Sequence, residues 1–406
     1  MNQARKFFLL TCLYACQGLP YGFFTQSLPV IMRENNATLT QIGLAYLLLL
    51  PWAGKFLWAP LVDEYGSTRI GRRKTWLFAT QTLSVLLLCT LGLFGNLDGD
   101  GDYRILFFLF AALNFLAATQ DIATDGIAVN LLNTDERGIG NGIQVAGYRL
   151  GMIVGGAFLL AQFSFFGWSG SFFFMAAVLT LWTLPLVSWR EPPPDPKVDT
   201  RHFWVIFTHL WRQPGFPVWL AMIAFFKVGE AMSTAMLSPY FKDQGLAIDE
   251  IAVVLGGYGF TGGLIGSLVG GFAVLWLGRI RAVVLLGVAQ IGGVALYLGM
   301  AGGWLPAETT PWLVAIEHGT SGMVTTALFT VMMDVCQKET ASSDYTLQAS
   351  AVVIATGFAK AGAGRVADLW GYQTNFTTAL VLCTVGVLWF AIQAPRLLDG
   401  QGQLRR

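Results

Sequence analysis

The sequence predicts an all-α polytopic membrane protein: twelve transmembrane helices arranged as two pseudo-symmetric six-helix bundles, with both termini cytoplasmic. Three observations lead there. The 406 residues are 54% hydrophobic and only 12% charged, with a mean hydropathy of +0.57, whereas soluble domains carry about 25% charged residues. Apolar stretches of bilayer-spanning length, which need roughly 20 residues, recur near 7–34, 41–60, 75–96, 105–132, 139–165, 170–189, 216–242, 250–277, 282–302, 311–335, 345–365 and 374–394. With the N-terminus on side one, that side's connections hold seventeen lysines and arginines, from Arg5 to Arg406, against Arg33, Arg104 and Lys242 on the other. Cytoplasmic loops carry the basic excess, so side one is cytoplasmic. An even number of spans returns the C-terminus to it.

Taken in order, spans 1 to 6 form a first domain, residues 1–189. A cytoplasmic linker over 190–215 follows, and spans 7 to 12 fill 216–406. The linker opens REPPPDPK, a proline run that cannot be helix interior and reads as extended chain. Trp204 and Trp211 beyond it are interfacial anchors for a stretch lying on the membrane surface. The halves echo each other. TLTQIGLAYLLL (38–49) aligns with AIDEIAVVLGGY (247–258), SLPVIM (27–32) with LSPYFK (237–242), and FGW at 166–168 with WGY at 370–372. Weak symmetry at a period near 205 residues is the mark of a transporter made of two parallel repeats. The five cysteines are scattered with no metal-ligand spacing, and no metal or cofactor is expected. Asn36-Ala37-Thr38 fits a glycosylation sequon on the outer side.

Span 4 raises the functional question. NFLAATQDIATDGIAVNLL (114–132) is apolar except for a stripe of Asn114, Asp121 and Asp125, with Gln120 alongside. A carboxylate at mid-depth costs about 2.5–3.5 kcal/mol on insertion scales, so each needs a partner or water. Residues three, four or seven apart share a helix face. Span 1 offers Tyr14, Gln17, Tyr21 and Thr25 beside Gly18-Leu19-Pro20; span 7 offers Lys227, Glu230 and Thr234; span 10 offers Glu317, Ser321 and Thr325. Matching depth along the helices pairs Asp121 with Arg149, Asp125 with Lys55 and Glu317 with Lys360, while Lys227 and Glu230 lie one turn apart on one helix. Asp125–Lys55 and Glu317–Lys360 read as interhelical ion pairs, with Lys55 and Lys360 as their bases. The mid-membrane groups Gln17, Tyr21, Gln120, Asp121, Asp125, Tyr148, Arg149, Lys227, Glu230 and Glu317 read as a substrate or proton pathway.

The loop after span 2 adds a resemblance. Pro60-Leu61-Val62-Asp63-Glu64-Tyr65-Gly66, followed after an insertion by Gly71-Arg72-Arg73-Lys74, resembles the loop pattern of the major facilitator superfamily. KFLWAPLVDEYG (55–66), TQDIATDG (119–126) with DERG (135–138), and GYRLGM (147–152) resemble the AmpG-like permeases within it, a branch of muropeptide importers and siderophore importers. The resemblance implies that spans 1, 4, 7 and 10 line a central cavity and that Asp63, Arg72 and Arg73 form a cytoplasmic gate. It also implies that the glycine ladders of span 5 (Gly151, Gly155, Gly156) and span 8 (GGYGFTGGLIGSLVGG, 256–271) meet across the two halves.

No G-x-x-x-x-G-K-[ST], nucleophile elbow or His/Cys/Glu metal spacing is present, so neither an ATP-driven pump nor an enzyme is expected. The expectation is an inner-membrane secondary transporter, a monomer in the lipid bilayer with protons as coupling ion and no nucleic-acid partner. It moves a bulky polar small molecule inward by alternating access. GLPYGFFTQSLPV in span 1 and NGIQVAGYRLGM in span 5 resemble the siderophore importers, which makes a siderophore or metal–siderophore complex the leading substrate. An anhydro-muropeptide is the alternative, and a membrane-embedded enzyme or receptor is the alternative of another class.

Overall fold

The computed structural model describes residues 2–34, 48, 50–94, 103–192, 204, 208, 210–399 and 403–405. The sequon at Asn36, the first-half repeat segment 38–49 except Leu48, and the linker's proline run from Pro193 on lie outside the described residues. Regular structure among those residues is helical, apart from one isolated bridge, Leu398 to Leu404. In order the helices are α1 (Gln3–Gly22), α2 (Leu28–Glu34), α3 (Leu50–Gly54), α4 (Ala59–Glu64), α5 (Arg72–Phe94), α6 (Tyr103–Leu131), α7 (Arg137–Ile153), α8 (Leu159–Ala161), α9 (Phe163–Ser188), α10 (Phe216–Phe226), α11 (Val228–Ala235), α12 (Leu237–Asp243), α13 (Ile248–Ala252), α14 (Phe260–Leu277), α15 (Arg279–Ala301), α16 (Thr310–Val335) and α17 (Ala341–Leu397).

Among the described residues, nine helical stretches are long and apolar enough to cross a membrane. Of the twelve spans expected from the sequence, span 2 lies partly outside the described residues and span 10, Thr310–Val335, is not among the nine. Spans 11 and 12 run together in α17, whose 57 residues would reach about 85 Å if straight, nearly three times a hydrocarbon core of about 30 Å. The chain turns inside it at Gly371, with φ 80° and ψ 168°. Gly167, with φ 61° and ψ −168°, does the same near the start of α9. These are the central residues of the echoed FGW and WGY triplets. Only glycine enters this conformation without strain, so the repeat shows in sequence where the chain must reverse.

Local chemistry sets the other interruptions. Pro20 lies within α1, and the chain continues through a π-helical turn, Phe23–Ser27, into α2. A second π-helical turn, Val154–Phe158, follows α7. The Ser27 hydroxyl lies 2.9 Å from the Gly156 carbonyl and 3.1 Å from that of Gly155, which supplies a donor where the π register leaves carbonyls short of one. Prolines in the first turn start α4, α10 and α16, where a missing N–H costs nothing.

The chain forms two compact units. Unit 1 comprises Met1–Leu131, Ala146–Phe207 and Gln337–Thr346; unit 2 comprises Leu132–Val145, Thr208–Cys336 and Leu347–Arg406. Each takes one short connection from the other half of the sequence. In unit 1, Leu19, Phe23, Phe110, Leu113, Phe172 and Met175 pack one core layer, and Leu9, Leu13, Val62, Leu77, Ile122 and Leu186 a second. Unit 2 has equivalent layers around Leu237, Phe241, Tyr297, Val314 and Phe376, and around Met232, Val294, Ala379 and Cys383. The polarity is inverted relative to a soluble protein. Leu86, Phe108, Leu181, Phe272, Trp276 and Phe358 are exposed, whereas Asn114, Gln120, Asp125, Glu317, Asp334 and Gln348 are buried. Apolar outside and polar inside is what a hydrocarbon solvent selects.

Glycines allow close helix contact within each unit. A Cβ at Gly18, Gly151 or Gly155 would fall 1.9–2.1 Å from a backbone oxygen across the α1–α7 contact in unit 1. In unit 2, Gly262, Gly266 and Gly270 of α14 press on the carbonyls of Ala315, Gly319 and Met323 in α16. Within unit 1, span 5 thus packs its ladder on span 1, and within unit 2 span 8 packs Gly262, Gly266 and Gly270 on span 10. Within unit 2, spans 5 and 8 do meet, two and a half turns or more before Gly151 on span 5, where Gly138 and Gly142 approach Gly271 and Ser267.

Candidate functional site

In unit 1 the polar residues of α1, α6 and the turn after α3 converge. The Lys55 ammonium forms a salt bridge with Asp121 Oδ2. The Tyr14 hydroxyl donates to Asp125 Oδ1 at 3.0 Å, and Gln120 Nε2 donates to the Leu13 carbonyl at 3.3 Å. Depth matching had paired Asp125 with Lys55 and Asp121 with Arg149; the structure places the Lys55 ammonium on Asp121. Lys55 sits in a short 3-10 turn, Lys55–Leu57, which places its ammonium beside Asp121, one turn along α6 from Asp125. Counting residues along upright helices cannot resolve a 5.4 Å turn. Lys55 still acts electrostatically on Asp125. Arg149 is half-buried on α7.

Aromatic rings surround this polar set. Tyr21 meets Trp52 edge-on at 5.7 Å between centroids and Tyr148 at 5.5 Å, and the Lys55 ammonium lies 5.8 Å from the Trp52 ring centre. Trp58 stacks on Phe115 at 4.9 Å and donates to Thr119. Gln17 is 1% exposed, and its Nε2 has no hydrogen-bond partner among the described residues, a donor that a ligand or water could satisfy. Trp52 and Trp58 escaped the sequence reading. Their spacing, three residues on either side of Lys55, was the available signal.

Unit 2 holds a second polar set. The chain breaks at Lys227, between α10 and α11, with φ −92° and ψ −3°. Lys227 Nζ reaches Glu230 Oε2 at 2.8 Å and Thr325 Oγ1 at 2.9 Å, while the Ser321 hydroxyl donates to Glu230 Oε1 at 2.9 Å. The predicted Lys227–Glu230 pair is present. The predicted Glu317–Lys360 pair is not: Glu317 Oε2 accepts from the Tyr297 hydroxyl at 2.8 Å and lies 3.0 Å from His318 Nδ1, and the charge of Lys360 acts on Glu230 instead. Tyr297 and His318 were missed. A lone tyrosine within span 9 carries no spacing signal, and the contact is made across helices.

The exchanged connections are held by charge. In unit 1, Arg73 Nη2 donates to Asp63 Oδ1 at 2.6 Å, and Arg73 Nε donates to the Ser342 hydroxyl at 2.8 Å. Asp63 Oδ2 accepts from the amide and hydroxyl of Ser343, each at 2.7 Å. A carboxylate on the first-turn amides of α17 satisfies orphan donors and complements the helix dipole. Arg72 Nη1 donates to the Asp63 carbonyl at 2.7 Å. Gly126 leaves room for this contact, since a Cβ there would lie 2.0 Å from the Ser342 hydroxyl. In unit 2, Asp334 bridges Arg137 and Arg279 at 2.7 Å each. Asp63, Arg72 and Arg73, expected together from one loop, are together, and their partners lie some 270–280 residues away in sequence. No group of histidine, cysteine and acidic residues suited to a metal occurs among the described residues.

Two bundled helical units with buried ionisable groups and apolar outer faces define a membrane-embedded helical protein of the transporter type. The family model described as Major Facilitator Superfamily matches residues 10–349, and the chain belongs to that superfamily. It is 29% identical, over 398 residues covering 95% of this chain and 79% of the relative, to the anhydromuropeptide permease of Escherichia coli strain K12. Its fold is that of a bacterial homologue of the iron transporter ferroportin in its outward-facing state, at a TM-score of 0.73 and 14% identity, covering 96% of this chain and 98% of that one. It is equally like the superfamily transporter FucP in the outward conformation, at 0.71 and 13%, with the same coverage. The chain is thus a multi-pass membrane transporter of this superfamily, similar over most of its length to AmpG-type permeases.

Proposed function

We propose that the protein is a proton-coupled inner-membrane importer of anhydro-muropeptides, working by alternating access, with twelve spans, both termini cytoplasmic and a bundle on each side of the 190–215 linker. The observation that carries the substrate is the similarity, over 95% of this chain, to the anhydromuropeptide permease. It favours the muropeptide over the siderophore suggested by spans 1 and 5. The residues suit that chemistry. Sugar rings pack on aromatic faces such as Tyr21, Trp52 and Tyr148, and the charged peptide of a muropeptide needs opposite charge and amide donors, which Lys55, Asp121 and Gln17 supply. The segments bound by Asp63–Arg73 and by Asp334 are the latches that must open and re-form during a cycle.

Purified protein in liposomes tests this with a panel of radiolabelled anhydro-muropeptide, ferric siderophore and free sugar. Saturable uptake of the anhydro-muropeptide, competed by unlabelled compound and not by the others, is expected. Uptake confined to the ferric siderophore would overturn the substrate, and chemical conversion without accumulation would overturn transport.

A further inference from the structure

We propose that Glu317, His318 and Tyr297 form the proton-binding site that couples transport to the gradient, an inference that rests on the reading of the chain as a gradient-driven importer. The argument starts from charge pairing. Among the described buried acids, Asp121 meets Lys55, Asp63 meets Arg73 and Asp334 meets two arginines, while Asp125 accepts from the Tyr14 hydroxyl and Asp344 from the Thr340 hydroxyl and the Gln337 amide; the half-buried Glu230 meets Lys227. Glu317, 1% exposed, has no lysine or arginine within ion-pair distance among the described residues. Its basic neighbour is an imidazole, the side chain that exchanges protons near neutral pH. A carboxylate buried without a cation is strongly unfavourable. The trio is therefore built to hold a proton, on the carboxyl or on the ring.

Geometry gives the proton a place and a route. Glu317 Oε2 is engaged by Tyr297 and His318, whereas Oε1 is buried with no hydrogen-bond partner among the described residues. The phenol of Tyr297 is also 3.2 Å from His318 Nδ1, so the three polar atoms close a triangle. Tyr297 is fully buried, while the His318 side chain is 17% exposed, which makes His318 the member that water can reach. A proton taken up at Nε2 yields imidazolium; breaking its Nδ1–H bond and forming an O–H bond on Glu317 leaves a neutral acid and a neutral ring. Gly293 permits the arrangement: a Cβ there would lie 2.6 Å from Thr320 Oγ1 and 3.1 Å from the Glu317 Cα, so α15 and α16 touch where Tyr297 must reach across.

The groups facing the trio connect it to the second polar set. Tyr297 comes from α15; Glu230 and Lys227 come from the α10–α11 break; Cys383 and Lys360 come from α17. Ser321, one turn along α16 from Glu317, donates to Glu230, whose other oxygen holds Lys227. Neutralising Glu317 removes a negative charge beside that pair, and so biases the helix break at Lys227.

Two readouts test the site. Acid-minus-alkaline infrared difference spectra of the purified protein should contain a protonated-carboxyl stretch that Glu317→Gln removes and Asp121→Asn keeps; Tyr297→Phe, which keeps the acid, should shift its pH midpoint. In liposomes, Glu317→Gln should retain counterflow of labelled anhydro-muropeptide and lose accumulation driven by a proton gradient. A band unchanged by Glu317→Gln, or gradient-driven accumulation that survives it, would overturn the proposal. Should the wild type itself show no counterflow, the muropeptide reading fails, and the infrared result alone decides the proton site.

Discussion

Replacing Lys55 by alanine is expected to destabilise the protein by about 3–5 kcal/mol and to abolish uptake, because Asp121 would be left charged and buried without its cation. The same logic predicts that Lys55→Met combined with Asp121→Leu recovers most of the lost stability. A buried pair replaced by apolar side chains of similar size is often neutral or stabilising. Transport then separates two roles that stability cannot. If the pair only fastens the turn after α3 to α6, the double variant should transport. If it receives the charged part of the substrate, the double variant should fold and remain inactive, and the account expects this. Thermal unfolding in detergent and uptake in liposomes, measured on all three variants, check it.

The glycine ladder of span 8 yields the second large effect. Gly266→Ala should destabilise by about 1–3 kcal/mol or more, as overpacking does, because the new methyl would lie 2.0 Å from the Gly319 carbonyl. Backbone on both sides leaves nothing soft to move. Gly256→Ala, in the same sequence run, meets nothing within 4 Å and should change stability by no more than about 1 kcal/mol, the scale of helix propensity. Melting temperatures of the two variants, measured side by side, report the difference. Equal effects would show that the α14–α16 contact is looser than described.

The same contrast explains what a sequence can reveal about this fold. Hydropathy located the membrane helices because burial in hydrocarbon acts on every residue of a span. The FGW and WGY triplets exposed the repeat because Gly167 and Gly371 each occupy a conformation closed to other residues. Polar stripes marked α1, α6, α11 and α16 because each acid needs a partner, whichever helix supplies it. The identity of that partner was less visible. Lys55 took Asp121 and not Asp125 as its ion-pair partner, and Glu317 took Tyr297 and His318 and not Lys360. Such choices depend on how far a helix is shifted along its neighbour, and no single sequence encodes that as a pattern. The hold of Asp63 on Ser343 crosses 280 residues and joins the motif after span 2 to a stretch that carries no signal of its own. Substrate was the least legible property: the residues of spans 1 and 5 pointed by resemblance to a siderophore, while similarity over the whole chain favours a muropeptide.

Water reaching the polar stripes, and not lipid, is the central claim, and thiol labelling tests it most directly. In a background lacking the five native cysteines, Tyr21→Cys and Thr325→Cys should react with a membrane-impermeant maleimide and be protected by anhydro-muropeptide. Leu86→Cys and Phe272→Cys, on the exposed apolar faces, should stay unreactive. Labelling of the apolar pair with silence at positions 21 and 325 would contradict the account.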